Sequence, residues 1–110
     1  MKLPNLEQAY IPSTKLSGYL LSETHSVGRS KAKLLRSVGF NEVNVAILKR
    51  RLIAIAHSEN VIETISFEHG IKYIIDGQIE TPIGGNIKMR TIWIVEAGQE
   101  KPRFVTAYPI

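Results

Sequence analysis

Three side chains near the C-terminal end have types and spacing suited to phosphate chemistry: Arg90, Thr106 and Tyr108. They fall in two apolar runs, 89–95 and 104–108, rich in the β-branched and aromatic residues that strands favour. Strand side chains alternate between faces, so Thr106 and Tyr108 point together while Val105 and Ala107 point the other way. If the two runs pair, Arg90 joins them across the ladder. A guanidinium fork, a small hydroxyl and a phenol on one sheet face can hold a phosphate and move a proton. Structural alternatives stand beside each: Arg90 as the partner of Asp76 or Glu63, and Thr106 and Tyr108 as residues that simply suit strands. Trp93 and Tyr73 can stack on bases or, as is more common for strand aromatics, fill the core.

A second constellation is the segment 25–33, His-Ser-Val-Gly-Arg-Ser-Lys-Ala-Lys. A histidine in a loop leads through Gly28 into the start of a basic helix, where free N–H groups and the helix dipole favour an anion. Arg29, Lys31, Lys33 and Arg36 place four cations within eight residues with no acid among them. Cations in a first helical turn oppose the dipole, and an anionic partner would account for them; the alternative is a solvated basic face. His25 is singled out because imidazole can act as acid or base near neutral pH. The Lys49-Arg50-Arg51 cluster lies apart and suits a solvated helix face. The three histidines lack ligand spacing, and no P-loop, nucleophile elbow or dinucleotide fingerprint is present.

The elements that must position these groups follow from pattern. Residues 1–28 are irregular, broken by Pro4, Pro12 and Gly18, with one short turn around 15–21. Ser30 is a candidate cap for a helix over 31–38, closed by Gly39, with Leu34, Leu35 and Val38 inward. Asn41 or Asn44 can cap a second helix reaching about His57. From Val61 the apolar period changes to two, predicting strands at 61–67, 71–79, 87–95 and 103–108. Helices followed by hairpin-linked strands describe an α+β domain, its N-terminal helices packed on one face of a four-stranded antiparallel sheet. The other face is left open.

At 110 residues the chain forms a single domain, 1–110, with a core burying roughly two-thirds of the unfolded surface. The 44% hydrophobic content argues against disorder, and the absence of cysteine excludes disulfides. The net charge of +4 favours anionic partners only mildly. The N-terminus has no apolar signal core and no run long enough to span a membrane, so the expected location is cytoplasmic.

These motifs resemble an uncharacterised family of small bacterial domains, carried by Leu3-Pro4-Asn5, the His25 to Ala32 segment, Gly39-Phe40, the Arg90 to Glu96 strand and the Val105 to Pro109 ending. The order of helices and strands, closing on Thr-Ala-Tyr-Pro, also resembles the barnase–EndoU–colicin–RelE ribonuclease fold of bacterial toxins. That resemblance implies a metal-independent endoribonuclease toxin of a toxin–antitoxin or polymorphic toxin system, without cofactor. It cleaves by attack of the RNA 2′-hydroxyl on the adjacent phosphorus. The positions carried over are His25 as general base or acid, Lys31 and Arg90 as charge stabilisers, Thr106 on a phosphoryl oxygen and Tyr108 as proton partner. Arg29, Lys33 and Arg36 would contact RNA, and the implied partner is an acidic antitoxin or immunity protein. The alternative is a non-catalytic RNA- or protein-binding module of such a system.

Overall fold

The computed structural model describes all 110 residues. After 3₁₀ turns at Leu6–Gln8 and Ser13–Lys15 and a π-helical turn at Leu16–Leu20, the chain forms α1 (Arg29–Ser37) and α2 (Val45–Ser58). Four strands follow: β1 (Val61–Phe67), β2 (Gly70–Glu80), β3 (Asn86–Glu96) and β4 (Arg103–Pro109). They pair antiparallel in the order β1-β2-β3-β4, as the apolar alternation predicts. The turn expected around 15–21 is the π-helical segment, which buries Leu16, Tyr19 and Leu20.

Both asparagines proposed for α2 take part in its start. Asn41 Oδ1 accepts the N–H groups of Val43 and Asn44, and Asn44 Oδ1 accepts that of Asn41. Asn44 itself occupies the cap position. Ser30 caps nothing: α1 begins at Arg29, two residues earlier than expected, after Gly28.

Strands β2 and β3 turn their odd-numbered residues toward the helices. Tyr73, Ile75 and Ile79 of β2, with Met89 and Trp93 of β3, pack on Leu48, Leu52 and Ile55 of α2. Gly77 belongs to the same row. A Cβ there would lie 2.8 Å from Ile55, so the missing side chain lets α2 approach the sheet. Trp93 and Tyr73 are therefore core residues, and stacking on bases is not open to them. Trp93 donates its indole N–H to Thr91 Oγ1 at 2.9 Å, and Thr91 donates to the carbonyl of Ile75 at 2.7 Å, so the buried polar atoms are satisfied.

One irregularity matters for the site. Ile92 pairs with Thr106 but Trp93 pairs with Phe104, which leaves Val105 as the extra residue of a bulge. Phe104 and Ala107 both face the core as a result. Thr106 and Tyr108 share the opposite face with Arg90, because Tyr108 pairs with Arg90 and Thr106 with Ile92. The expected alternation holds from Thr106 onward and fails at Val105.

Candidate functional site

The sheet face away from the helices carries two polar clusters, at successive same-face positions of β4. The first is centred on Tyr19, a residue with no motif around it. Its hydroxyl lies 2.8 Å from Thr106 Oγ1, so the π-helical turn and the last strand meet at a pair of hydroxyls 87 residues apart in sequence. Lys15 and Lys31 place their ammonium groups 4.9 and 5.5 Å from the centre of the Tyr19 ring. His25 packs edge-on against the same ring at 5.0 Å. Burial opposes ionisation of the Tyr19 phenol. The interactions with Thr106 and Lys31 and the charges of Lys31 and Lys15 outweigh burial and hold it below its usual 10.0.

His25 has a defined local task. Its Nδ1 accepts the backbone N–H groups of Val27 and Gly28, each at 3.0 Å. This is the bonding pattern of a helix cap, made by an imidazole for the turn that runs into α1. An Nδ1 that accepts two N–H groups carries no proton, so the hydrogen sits on Nε2. His25 in this arrangement can offer an Nε2–H hydrogen bond to a ligand. The sequence expectation of a general base or acid thus falls on a histidine whose Nδ1 already accepts two backbone N–H groups.

The second cluster is Arg90, Asp76 and Tyr108. Arg90 donates from Nε to Asp76 Oδ1 at 2.8 Å and from Nη2 to Oδ2 at 2.9 Å, the strand ion pair anticipated as an alternative. Register explains it: Asp76, Arg90 and Tyr108 stand side by side across β2, β3 and β4. The bond to Asp76 raises the guanidinium pKa further above its ordinary value, partial burial opposes this, and Tyr108 adds to the rise. The side-on pair uses two of the five guanidinium N–H donors and leaves three, two of them on Nη1, outside the bond to Asp76. The bond to Arg90 likewise lowers the Asp76 carboxyl below its usual 3.8, against the effect of burial. A depressed carboxyl contributes stability above its unfolded pKa and loses it as pH falls through the folded one. Asp76→Asn should therefore flatten the acid limb of the stability curve below about pH 4, measured by urea unfolding at successive pH values. An acid limb as steep as the parent's would show that Asp76 does not carry this linkage.

The cationic run on α1 is divided by the helix. Ala32 and Leu35 bury its inner face, and at 100° per residue Lys31 falls on one flank and Arg29 and Lys33 on the other. Lys31 reaches Tyr19. Arg29, Ser30, Lys33, Arg36 and Glu23 line a separate cleft of about 530 Å³. Arg36 is not free for RNA: it donates to the Leu21 carbonyl from both Nε and Nη2, and it pairs with Glu23 and Glu42. It ties the end of the irregular segment to α1. The structure thus joins Lys31, Thr106 and the ring of His25 around Tyr19, and sets Arg90 and Tyr108 one step along β4. It does not bring Arg29, Lys33 and Arg36 to either cluster. Tyr19 was missed because its partners are distant in sequence; the only local signal was the apolar turn around it.

No group of three His, Asp or Glu side chains gathers to hold a metal ion, and no helix is long and apolar enough to cross a membrane. A family model described as a domain of unknown function, DUF6883, matches residues 2–110. No curated protein matches the chain. Among solved structures, a chain of a contact-dependent growth inhibition toxin–immunity protein complex from Klebsiella pneumoniae 342 superposes with a TM-score of 0.73. The alignment covers 94% of this chain and 95% of that one at 15% identity, a likeness of fold.

Proposed function

The chain belongs to the DUF6883 family, whose description assigns no activity, and from its own site we propose a metal-independent endoribonuclease of a bacterial toxin system. The observation that carries this reading is the Tyr19 hydroxyl, 2.8 Å from Thr106 Oγ1 with the Lys31 ammonium 5.5 Å from the centre of its ring, contacts that lower the phenol pKa against burial. A phenol primed to ionise beside an ammonium supplies the two groups that RNA transesterification needs, because the nucleophile comes with the substrate. As phenolate, Tyr19 takes the proton of the 2′-hydroxyl while the 2′-oxygen forms a bond to phosphorus. Lys31 offsets the added charge on the phosphorane and gives a proton to the departing 5′-oxygen. The products are a 2′,3′-cyclic phosphate and a 5′-hydroxyl, and proton transfer from Tyr19 to Lys31 restores both groups.

Thr106 orients the phenol, and the Nε2–H of His25 is available for a phosphoryl oxygen. Arg90, held by Asp76, keeps its Nη1 end for an adjacent phosphate. Tyr108 braces Arg90 in place of the proton-transfer role its position first suggested. The fold shared with a chain of a toxin–immunity complex supports the toxin setting and, with it, a cognate immunity partner. A non-catalytic RNA- or protein-binding module is favoured by one observation, that the Arg90 fork is already occupied by Asp76.

Incubation with total RNA in EDTA separates the two. The parent is expected to give discrete fragments ending in 2′,3′-cyclic phosphate, and Arg90→Ala to lose cleavage by about 10²-fold or more, the usual effect of removing a charge-stabilising donor. Intact RNA with both proteins, at concentrations far above micromolar, would leave only the binding module.

A further inference from the structure

The two edges of the sheet are treated differently. On the β4 side, Tyr10 bonds to Pro102 and Phe104, and Tyr19 reaches Thr106, so the N-terminal segment covers that edge. On the β1 side, the chain's own backbone meets the strand only at its first residue, where the Val61 N–H donates to the carbonyl of Met1 at 2.7 Å. From Ile62 to Phe67 the outward backbone groups have no partner in the molecule. The strand is exposed after Val61, with Ile62, Ile65 and Phe67 at 53, 44 and 40%. It contains no proline and no lysine, two residues that natural edges use to prevent pairing.

Charge identifies what this edge accepts. Residues 59–71 hold three carboxylates, Glu59, Glu63 and Glu68, and no lysine or arginine, in a chain with 14 cations and 10 acids. None of the three is in an ion pair, whereas Glu23, Glu42, Asp76 and Glu96 all are. The nearest cation on β2, Lys72, lies over the ring of Phe67 at 5.5 Å. Two such edges brought together would set three unpaired carboxylates beside three more, which disfavours a second copy of the chain.

We infer that the outer edge of β1 is a docking site for an extended segment of a partner protein, apolar and carrying lysine or arginine at alternating positions, which adds a fifth strand to the sheet. Backbone N–H and C=O groups of Ile62 to Phe67 supply the ladder; Glu63, Ile65 and Phe67 share one face, where Glu63 selects a basic side chain opposite it and Ile65 and Phe67 receive the aliphatic stems of the same lysine row. Because β1 and β4 lie at opposite edges, a partner held here leaves Tyr19 and Thr106 uncovered.

The test uses the full chain and two labelled ten-residue peptides, one alternating valine with lysine and one alternating valine with glutamate. Fluorescence anisotropy should show the lysine peptide bound and the glutamate peptide not. Hydrogen exchange should show new protection confined to the outward amides of 62–67. Glu63→Lys, an exposed change with no bond to break, should weaken the lysine peptide by about twofold to fivefold at unchanged urea midpoint. Equal binding of both peptides, no binding of either, or protection elsewhere would overturn the assignment. So would a concentration-dependent dimer in sedimentation that Glu63→Lys abolishes, since the occupant would then be a second copy.

Discussion

Tyr19→Phe should lower the rate of RNA cleavage by about 10²–10⁴-fold, the usual contribution of a positioned acid–base group, while the protein remains folded. The substitution removes one oxygen and keeps the ring against which His25 and both lysines pack. The structural cost is the bond to Thr106, about 1 kcal/mol for a partly buried hydroxyl pair. The ratio of these effects is the test, because a tyrosine that serves only packing would lose little of either. Single-turnover cleavage in EDTA gives the first quantity and urea unfolding the second. The pH profile adds a sign: cleavage by the parent should rise with pH as the phenol ionises and level off below 10.0, the ordinary tyrosine value. The Phe variant lacks that limb. A variant that cleaves at the parental rate, or shows the same limb, removes Tyr19 from the chemistry.

The framework of this site was legible in the sequence for a simple reason. Period-two alternation from Val61 onward, cut by glycine-containing turns, is a local signal, and all four strands fall within a residue or two of the expected bounds. The clustering of Arg90 and Tyr108 was legible too, since two hairpin-linked strands of known register define which residues face each other. What local pattern could not supply was the third dimension of the irregular segment. Nothing near Tyr19 shows that it meets Thr106, and that contact decides which phenol stands beside the run into α1. The cationic run misled for a related reason. Four cations in eight residues read as one patch, but 100° per residue sends Lys31 and Arg29 to opposite flanks, and Arg36 is consumed by the Leu21 carbonyl and two carboxylates. His25 was identified by residue type, yet its Nδ1 closes the turn before α1, a use that spacing alone does not reveal.

Gly28→Ala tests whether the segment around Tyr19 and α1 are built as one unit. Gly28 has φ −77° and ψ −20°, a conformation open to alanine, so backbone propensity alone, acting through the unfolded chain, predicts a gain of about 0.4–1 kcal/mol. The space around it predicts the reverse. A Cβ at this position would lie 2.3 Å from the carbonyl oxygen of Tyr19 and 3.0 Å from both its carbonyl carbon and Cδ1. That oxygen is backbone, held by the N–H of Ser22 at 3.2 Å, and it cannot rotate aside as a side chain could. Relief requires α1 and the π-helical turn to separate by about an ångström. Overpacking of this kind typically costs 1–3 kcal/mol, which exceeds the propensity gain. The same displacement moves the Tyr19 hydroxyl away from Thr106 and Lys31, and a misplacement of about 1 Å can cost 10²-fold in rate. Gly18→Ala is the matched control, because no atom lies within 4 Å of its Cβ position. Urea unfolding should place Gly28→Ala well below both the parent and Gly18→Ala, with cleavage lost in the first variant only. If Gly28→Ala is as stable as the parent, the close approach of α1 to Tyr19 is not what holds this site together.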